Sequence, residues 1–169
     1  MHPQARNYFA RWARSPRAQG RIVEIGAQDM NGGIRDLFPQ AKSYVSVDLS
    51  DEFGGVDVVA DARTWRGPGY LADMVVCAEV YEHVPDWPRI VWQVARYLRA
   101  DGLFVMTCAG PGRPPHSGSW AGPMRADEFY RNVDPRHLAR VLVRGGFEPL
   151  EVLNPRDPSD VQAAARRRL

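Results

Sequence analysis

The chain has 169 residues, of which 44% are hydrophobic and 25% are charged, and its formal net charge at pH 7 is +2. This length suits one domain with one core and is too short for two ordinary domains. The mild basic excess lacks the strong positive clustering of a dedicated nucleic-acid-binding protein, so nucleic acid stays open as a partner but is not favoured. Two cysteines at the ends of apolar runs, with no run of transmembrane length and no apolar signal core, predict a cytoplasmic protein without a membrane partner.

Residues 1–17 are predicted to form an N-terminal cap helix, because Tyr8, Phe9 and Trp12 fall on one side of a helical pattern. Strands and helices then alternate. The predicted strands are the apolar runs 21–26, 43–49, 56–62, 72–80, 102–108 and 147–153. The predicted helices are a short one over 33–39, one opened by Asp86 and Pro88 and ended by Gly102, and one started by Asp134 and Pro135 and stopped by Gly145 and Gly146. The Gly- and Pro-rich residues 109–133 are interpreted as an ordered loop or lid.

Strands alternating with helices predict an α/β fold, an open, doubly wound and mostly parallel sheet. Such sheets bind ligands at the carboxyl ends of their strands. Acids stand near four consecutive strand ends, Glu24, Asp48, Asp61 and Glu79. Clustered carboxylates repel one another, so a role in folding does not explain why four acids stand at neighbouring strand ends. Carboxylates do accept hydrogen bonds well from ribose hydroxyls. Asp48 follows Gly26 at close to the spacing expected of a ribose-binding acid.

The loop after the first strand, "GAQDMNGG", does not follow the glycine pattern of dinucleotide-binding proteins. Gln28 and Asn31 occupy positions where that pattern has glycines. A cofactor without phosphates needs less from the loop, namely one glycine for the turn, small neighbours such as Ala27, and an acid. The sequence therefore favours a nucleoside cofactor that lacks a pyrophosphate.

The order of these motifs resembles the class I S-adenosylmethionine-dependent methyltransferases. Their first motif, Glu/Asp-x-Gly-x-Gly-x-Gly, corresponds here to residues 24–30, and "YEHVPDW" (81–87) and "LRADGLFVMT" (98–107) resemble later motifs. The resemblance implies a Rossmann-like seven-stranded sheet of order 3-2-1-4-5-7-6 with helices on both faces and an antiparallel last strand, placed over "DVQAAARR". It also implies a single methyltransferase domain over 1–169, with a cofactor-binding half (20–108), a substrate or lid loop (109–133) and a C-terminal helix and strands (134–169).

The resemblance further implies S-adenosyl-L-methionine as the cofactor and S-adenosyl-L-homocysteine as its product. The residues expected to bind the cofactor are Glu24, Gly26, Ala27, Gln28, Asp48, Leu49, Asp61, Ala62, Ala78 and Glu79. The expected reaction is in-line transfer of the methyl group to an oxygen or nitrogen of a small molecule. An RNA 2′-O-methyltransferase-like enzyme and a non-catalytic scaffold of the same fold stay open, as does a homo-oligomer.

Glu82, His83 and His116 are the candidate catalytic residues. If a helix begins after the fourth strand, the i, i+3, i+4 spacing places Glu79, Glu82 and His83 on one face. These three residues with His116 form a candidate site for a divalent metal such as Mg²⁺, similar to the Glu-x-x-Glu-His motif of metal-dependent O-methyltransferases. Packing and helix capping are the alternative roles for these residues. Trp120, Phe129 and Tyr130 either line an acceptor pocket or pin the loop, and His2 and His137 are expected at the surface.

Overall fold

A seven-stranded sheet of order β3-β2-β1-β4-β5-β7-β6 forms the centre of the protein. The structure is a computed structural model that describes residues 2–29, 32–120, 122–156 and 159–169. Its strands are β1 (Arg21–Ile25), β2 (Ser43–Asp48), β3 (Val58–Val59), β4 (Ala72–Ala78), β5 (Leu98–Ala109), β6 (Phe147–Leu153) and β7 (Asp160–Arg167). Strands β1 to β5 pair in parallel, and β7 runs antiparallel to both β5 and β6. The predicted strand order and the antiparallel last strand are confirmed.

Three ten-residue helices flank the sheet, α1 (Pro3–Trp12), α2 (Pro88–Tyr97) and α3 (Pro135–Arg144). A proline stands in the first turn of each, where its missing N–H costs nothing. Asp134 caps α3 by accepting from the amides of Arg136 and His137. Asp86 does not cap α2 with its side chain and instead pairs with Arg89. None of the helices among the described residues is long and apolar enough to cross a membrane.

The two faces of the sheet carry separate cores, because successive strand residues point in opposite directions. Val75 and Cys77 of β4 pack with α2 and α3 on one face, and Met74 and Val76 of the same strand pack with α1 on the other. Helices therefore cover both faces, as expected. Cys77 and Cys108 are both buried and are not bonded to each other.

Several predicted elements differ from those observed. The helix that was predicted to end at Gly102 ends at Tyr97, because β5 begins at Leu98 rather than at residue 102. The predicted helix over 33–39 is a single 3₁₀ turn at Arg35–Leu37, since the glycines before it and Pro39 after it leave too few residues for an α-helix. The third strand has only two residues, Val58–Val59, at the edge of the sheet. The segment after β4 is also a 3₁₀ turn, at Tyr81–His83, and this turn changes where the acids near it point.

Candidate cofactor pocket and its polar neighbours

A pocket of about 280 Å³ opens at the carboxyl ends of β1, β2 and β4. All ten residues that the sequence suggested for cofactor binding line it: Glu24, Gly26, Ala27, Gln28, Asp48, Leu49, Asp61, Ala62, Ala78 and Glu79. Parallel strands bring their carboxyl ends to one edge, so acids far apart in the sequence meet there. Val80, Arg63 and Gly118 also line the pocket and were missed, since nothing in their sequence pattern distinguishes them from ordinary loop residues.

Gly26 forms the turn beneath the pocket. Its φ is +78°, a conformation that favours glycine, and a β-carbon there would overlap the Val80 side chain. The amides of Gly26 and Ala27 both donate to the carbonyl of Val47, at 3.0 and 3.4 Å. Two independent constraints, the backbone angle and the close approach of Val80, therefore demand glycine at this position.

Asp48 at the end of β2 is tied to the glycine loop. Its Oδ1 accepts from the amide of Leu49 at 2.6 Å, and its Oδ2 accepts from the amide of Gln28 at 3.1 Å. The Gln28 side chain donates to the hydroxyl of Ser50. The departure from glycine at Gln28 thus adds a side-chain link between the loop and β2. Met30 and Asn31, which also belong to the motif discussed above, lie outside the described residues.

Asp61, after β3, forms a fork-like ion pair with Arg63, whose Nη2 lies 2.7 Å from Oδ2 and whose Nε lies 3.0 Å from both oxygens. The Arg63 side chain and amide hold the pKa of Asp61 below its usual value despite some burial. Asp61 is therefore a fixed anion, and Arg63 is neutralised at the wall of the pocket.

Glu24 is only 4% exposed, and the hydroxyl of Tyr44 donates to its Oε2 at 2.9 Å. Burial raises the pKa of this carboxyl to about 7, against the opposing effect of the hydrogen bond from Tyr44. Burial thus opposes ionisation of the Glu24 carboxyl near neutral pH. A cation placed beside it would favour the charged form.

Glu79 follows β4 and adopts φ +55°, which is strained for a residue with a β-carbon. The hydroxyl of Thr107 donates to its Oε1 at 2.7 Å, and Nε2 of His2 lies 3.6 Å from its Oε2. Burial alone would raise the pKa of Glu79, but its contacts with His2 and Thr107 outweigh burial and lower it. The carboxylate is held ionised and in one orientation at the pocket wall.

A family model described as a methyltransferase domain matches residues 2–152. The chain belongs to this methyltransferase family. The resemblance to class I S-adenosylmethionine-dependent methyltransferases is therefore confirmed, and the strand order given above is that of this class.

Individual relatives of this methyltransferase domain are distant. It is 23% identical over 146 residues to the ubiquinone biosynthesis O-methyltransferase of Cupriavidus pinatubonensis, across 79% of this chain and 58% of that protein, so it spans little more than half of this curated relative. A solved S-adenosylmethionine-dependent methyltransferase from Mesorhizobium loti is 20% identical with a TM-score of 0.70, over 96% of this chain and 98% of the other. The 1,6-didemethyltoxoflavin-N1-methyltransferase of Burkholderia thailandensis, solved with its substrate and S-adenosylhomocysteine, is 19% identical with a TM-score of 0.68, over 99% and 78% of the two chains.

The three candidate catalytic residues of the methyltransferase domain come together beside the pocket. One ligand atom from each of Glu82, His83 and His116 lies within 4.8 Å of the others. The rings of His83 and His116 meet edge to face, with centroids 5.1 Å apart, and Tyr130 packs against both. Burial and the neighbouring His116 lower the pKa of His83 to about 4, so its imidazole is neutral at pH 7.

Glu79 does not join that group, and the prediction that it shares a helix face with Glu82 and His83 is wrong. Its left-handed backbone and the 3₁₀ turn that starts at Tyr81 remove the i, i+3, i+4 geometry. Glu79 instead lies with His2 and Asp160, whose ligand atoms are within 4.8 Å of one another and of Glu79. The four residues suggested for a metal are thus divided between two clusters.

His2 is not a surface residue, contrary to the expectation. Its side chain is 20% exposed, and its Nε2 lies 3.2 Å from Oδ2 of Asp160 and 2.8 Å from Nη1 of Arg113. Arg113 also donates to Oδ1 of Asp160 at 2.8 Å. Burial and the nearby Glu79 raise the pKa of Asp160 to about 6. His137 is exposed, as expected, with its ring against Trp87.

The loop over 109–133 is fastened by Glu128, which accepts from the hydroxyls of Ser117 and Ser119 and from the amide of Arg125. Trp120 and Phe129 lie against Arg125 and Arg131 rather than among the lining residues of the described pocket. These two aromatic residues therefore fit the alternative of holding the loop. Ala121 lies outside the described residues.

Proposed function

We propose that this chain is an S-adenosylmethionine-dependent methyltransferase that methylates an oxygen or nitrogen of a small molecule. One observation carries the proposal: the carboxylates at or just beyond the carboxyl ends of four strands line a single pocket together with the Gly26 turn. Carboxylates at these positions match the needs of an adenosine with a cationic side chain, and no phosphate-binding glycine pattern accompanies them. Membership of the methyltransferase family agrees with this function.

The residues present fit this cofactor. Each carboxylate oxygen of Asp48 accepts one hydrogen bond from a backbone amide. The remaining lone pairs of these oxygens would accept hydrogen bonds from the ribose hydroxyls. Glu24 would accept the ammonium of the methionyl portion, and its pKa of about 7 would fall when that cation binds. The absent side chain at Gly26 would leave room for the same portion of the cofactor. Ala62, next to the fixed Asp61, would border the adenine.

S-adenosylmethionine supplies a methyl group on a positively charged sulfur, and an aligned oxygen or nitrogen nucleophile displaces that sulfur in line. The chain's own contribution is to hold the acceptor in that line and to take its proton. His83 lines the pocket and has a neutral imidazole, so it is the residue we assign as general base. His116 and Tyr130 fix its ring by edge-to-face contacts.

A divalent metal at Glu82, His83 and His116 is a second proposal. It is favoured by the grouping of their ligand atoms and by the buried Oε2 of Glu82, which has no hydrogen-bond partner among the residues that the structure describes. Burial and Glu79 raise the pKa of Glu82 well above its usual range, and a bound cation would reverse that shift. Metal analysis of the purified protein, and calorimetric titration with Mg²⁺ or Mn²⁺ of wild type and Glu82→Gln, test the site. Equal heats for the two proteins would refute it.

The acceptor is proposed to be a small molecule for two reasons. Two relatives act on small molecules according to their names, the ubiquinone biosynthesis enzyme and the toxoflavin enzyme. The two arginines beside the site, Arg63 and Arg113, are both paired with carboxylates, so neither offers an unneutralised charge to an RNA backbone.

Calorimetry with S-adenosylmethionine and S-adenosylhomocysteine tests the proposal. Wild type should bind both, with a proton released at pH 7 as Glu24 ionises, which is measured by repeating the titration in buffers of different ionisation enthalpy. Asp48→Ala should lower the affinity at least about tenfold, because charge-assisted hydrogen bonds are lost. Asp51→Ala is the matched control, since Asp51 accepts from the amide of Val56 outside the pocket. Failure of wild type to bind either compound would favour the non-catalytic scaffold.

A further inference from the structure

Basic side chains gather at the amino ends of the parallel strands, which is the edge of the sheet opposite the pocket. Lys42 stands directly before β2, Arg21 is the first residue of β1, and Arg99 is the second residue of β5. The antiparallel β7 ends at the same edge with Arg167 and is followed by Arg168. The name basic edge is used here for these residues and one more in the 3₁₀ turn before β1: Arg17, Arg21, Lys42, Arg99, Arg167 and Arg168.

Most of these cations keep a charge that no acid neutralises. Among the described residues, Arg99 is the one member of the basic edge that forms an ion pair, with Asp73 at 2.9 Å. Two further acids lie near this edge. Glu148 pairs with Arg166, so those two charges offset each other, and Asp101 stands in the irregular start of β5. The edge therefore carries a surplus of positive charge.

The ends of two helices add to this surplus. Arg167 donates to the carbonyls of Ala95 and Gly146, at 3.2 and 2.8 Å, where α2 and α3 end. Carbonyls at the end of a helix carry a partial negative charge. Arg96 and Arg144 stand in the last turns of α2 and α3, and both are exposed. Their full charges more than offset the partial charges of the helix ends.

The cations of the basic edge follow a line, because the sheet places β2, β1, β4, β5 and β7 side by side. Neighbouring strands are about 4.8 Å apart, so the line from Lys42 to Arg167 is about 19 Å long. The sequence does not reveal this line, since its members are spread between residues 17 and 168 and the formal net charge is only +2. The fold separates the charges: acids line the pocket at the carboxyl ends of the strands, and arginines gather at the amino ends.

We propose that the basic edge docks the phosphate backbone of a single-stranded nucleic acid. A line of cations suits a linear polyanion, and its length suits about four nucleotides, the smallest site size of single-strand-binding folds. Guanidinium groups bind phosphate oxygens through paired hydrogen bonds. The guanidinium of Arg21 lies 5.0 Å from the centre of the Tyr70 ring, a contact that orients it and leaves its charge available.

An anionic membrane surface is a less suitable partner for the basic edge. Helices that bind membranes insert an apolar face beside their charges. The two helices that end at this edge, α2 and α3, pack their apolar faces on the sheet instead. The contacts available to a ligand at this edge are therefore mainly electrostatic.

The docked strand is not the methyl acceptor. The seven residues of β4 lie between the basic edge and the pocket, a separation of about 23 Å. A nucleic acid on the basic edge would leave the pocket open to S-adenosylmethionine and to a small acceptor. The inference thus adds a binding activity at a second surface and does not depend on the proposed function.

Fluorescence anisotropy with labelled 20-nucleotide oligo(U) and oligo(dT) tests the docking. The wild type should bind both strands with dissociation constants below ~10 µM in 50 mM NaCl. The logarithm of the binding constant should fall with the logarithm of the salt concentration with a slope of about −3, since each of about four phosphates contributes about −0.7. The two strands should bind alike, because phosphate contacts carry no sequence information. Dissociation constants above ~10 µM, or a slope near zero, would overturn the proposal.

A pair of double variants locates the bound strand. Lys42→Gln with Arg168→Gln removes two exposed charges of the basic edge and should weaken binding at least about tenfold in 50 mM NaCl, with a slope shallower by about 1.4. Arg136→Gln with Arg156→Gln removes the same charge from exposed positions at the pocket end of the sheet, at the start of α3 and after β6, and should leave the affinity within about twofold of wild type. Both double variants should bind S-adenosylhomocysteine like the wild type.

Two outcomes with these proteins contradict the proposal. Equal losses of affinity in the two double variants would show that net charge alone attracts the strand, without a defined surface. Sedimentation with phosphatidylglycerol vesicles gives the second comparison. Tighter binding of the wild type to these vesicles than to the oligonucleotides would assign the basic edge to a membrane.

Discussion

The hydroxyl of Tyr44 on β2 donates a 2.9 Å hydrogen bond to the carboxyl of Glu24 on the neighbouring β1. The bond supplies a partner for an acid that the strand carries into the protein interior. It does not cancel the cost of burial, since the pKa of Glu24 still rises to about 7. A buried acid in this state makes the stability of the cofactor-free protein sensitive to pH.

Glu24→Gln should reveal that sensitivity. Because the pKa in the folded state lies above the unfolded value of 4.5, the stability that Glu24 contributes is complete below pH 4.5 and is lost as pH rises through about 7. The free energy of unfolding of Glu24→Gln relative to wild type should therefore increase by about 3 kcal/mol between pH 4 and pH 8. Urea titrations at several pH values measure it. Glu148→Gln, at a surface ion pair with Arg166, is the control and should show little pH dependence.

Gly26→Ala separates the two constraints on the turn when it is compared with Gly54→Ala. Both glycines have φ near +78°, but a β-carbon at Gly54 meets nothing, whereas one at Gly26 meets Val80. Gly54→Ala should cost about 1–2 kcal/mol of stability, the penalty of a left-handed backbone alone. Gly26→Ala should cost more than this and should also abolish binding of S-adenosylhomocysteine. Equal losses of stability in the two variants would show that the Val80 side chain moves aside without an energetic penalty.

The sequence predicted the acids of the pocket because parallel strands share an edge. Once the carboxyl end of each strand was located, the four acids could be predicted to lie together, and small errors in strand length did not matter. These acids are Glu24, Asp48, Asp61 and Glu79. The final strand over 160–167 is rich in alanine and arginine, which favour helix, so only the resemblance to a family predicted it. Tertiary pairing with β5 and β6 overrides that preference.

The grouping of Glu79 with His2 and Asp160 could not be predicted in the same way. The orientation of Glu79 depends on its left-handed backbone, and helical spacing gave the wrong neighbours. His2 reaches Glu79 and Asp160 because α1 lies across the sheet, which is a long-range contact without a local sequence signal. The far end of α1 is held by Glu151, which accepts from Tyr8 and Trp12. Packing of this helix, rather than any motif, brings His2 to the site.

His83 should titrate near pH 4 in an NMR titration of its imidazole, below its ordinary value of 6.5. A lowered histidine pKa stabilises the fold above pH 6.5, and that contribution is lost as pH falls toward 4. His116→Gln should raise the pKa of His83 toward 6.5, because the charge of His116 is the second cause of the shift after burial. His137→Gln is the control and should leave it unchanged, since His137 packs on Trp87 instead. A wild-type value near 6.5 would contradict the buried position of the ring.

Glu128 should govern how often the loop over 109–133 opens. Its carboxylate accepts from Ser117 at 2.6 Å and from the amide of Arg125 at 2.8 Å, and these bonds lower its pKa to about 2, so it stays ionised through the neutral range. Glu128→Gln replaces charge-assisted hydrogen bonds by weaker neutral ones. Trypsin should then cut after the exposed Arg125 about three- to tenfold faster, as measured by mass spectrometry of timed digests. Glu52→Gln, in a different exposed loop, should digest like wild type, and equal rates for both variants would show that Glu128 does not fasten the loop.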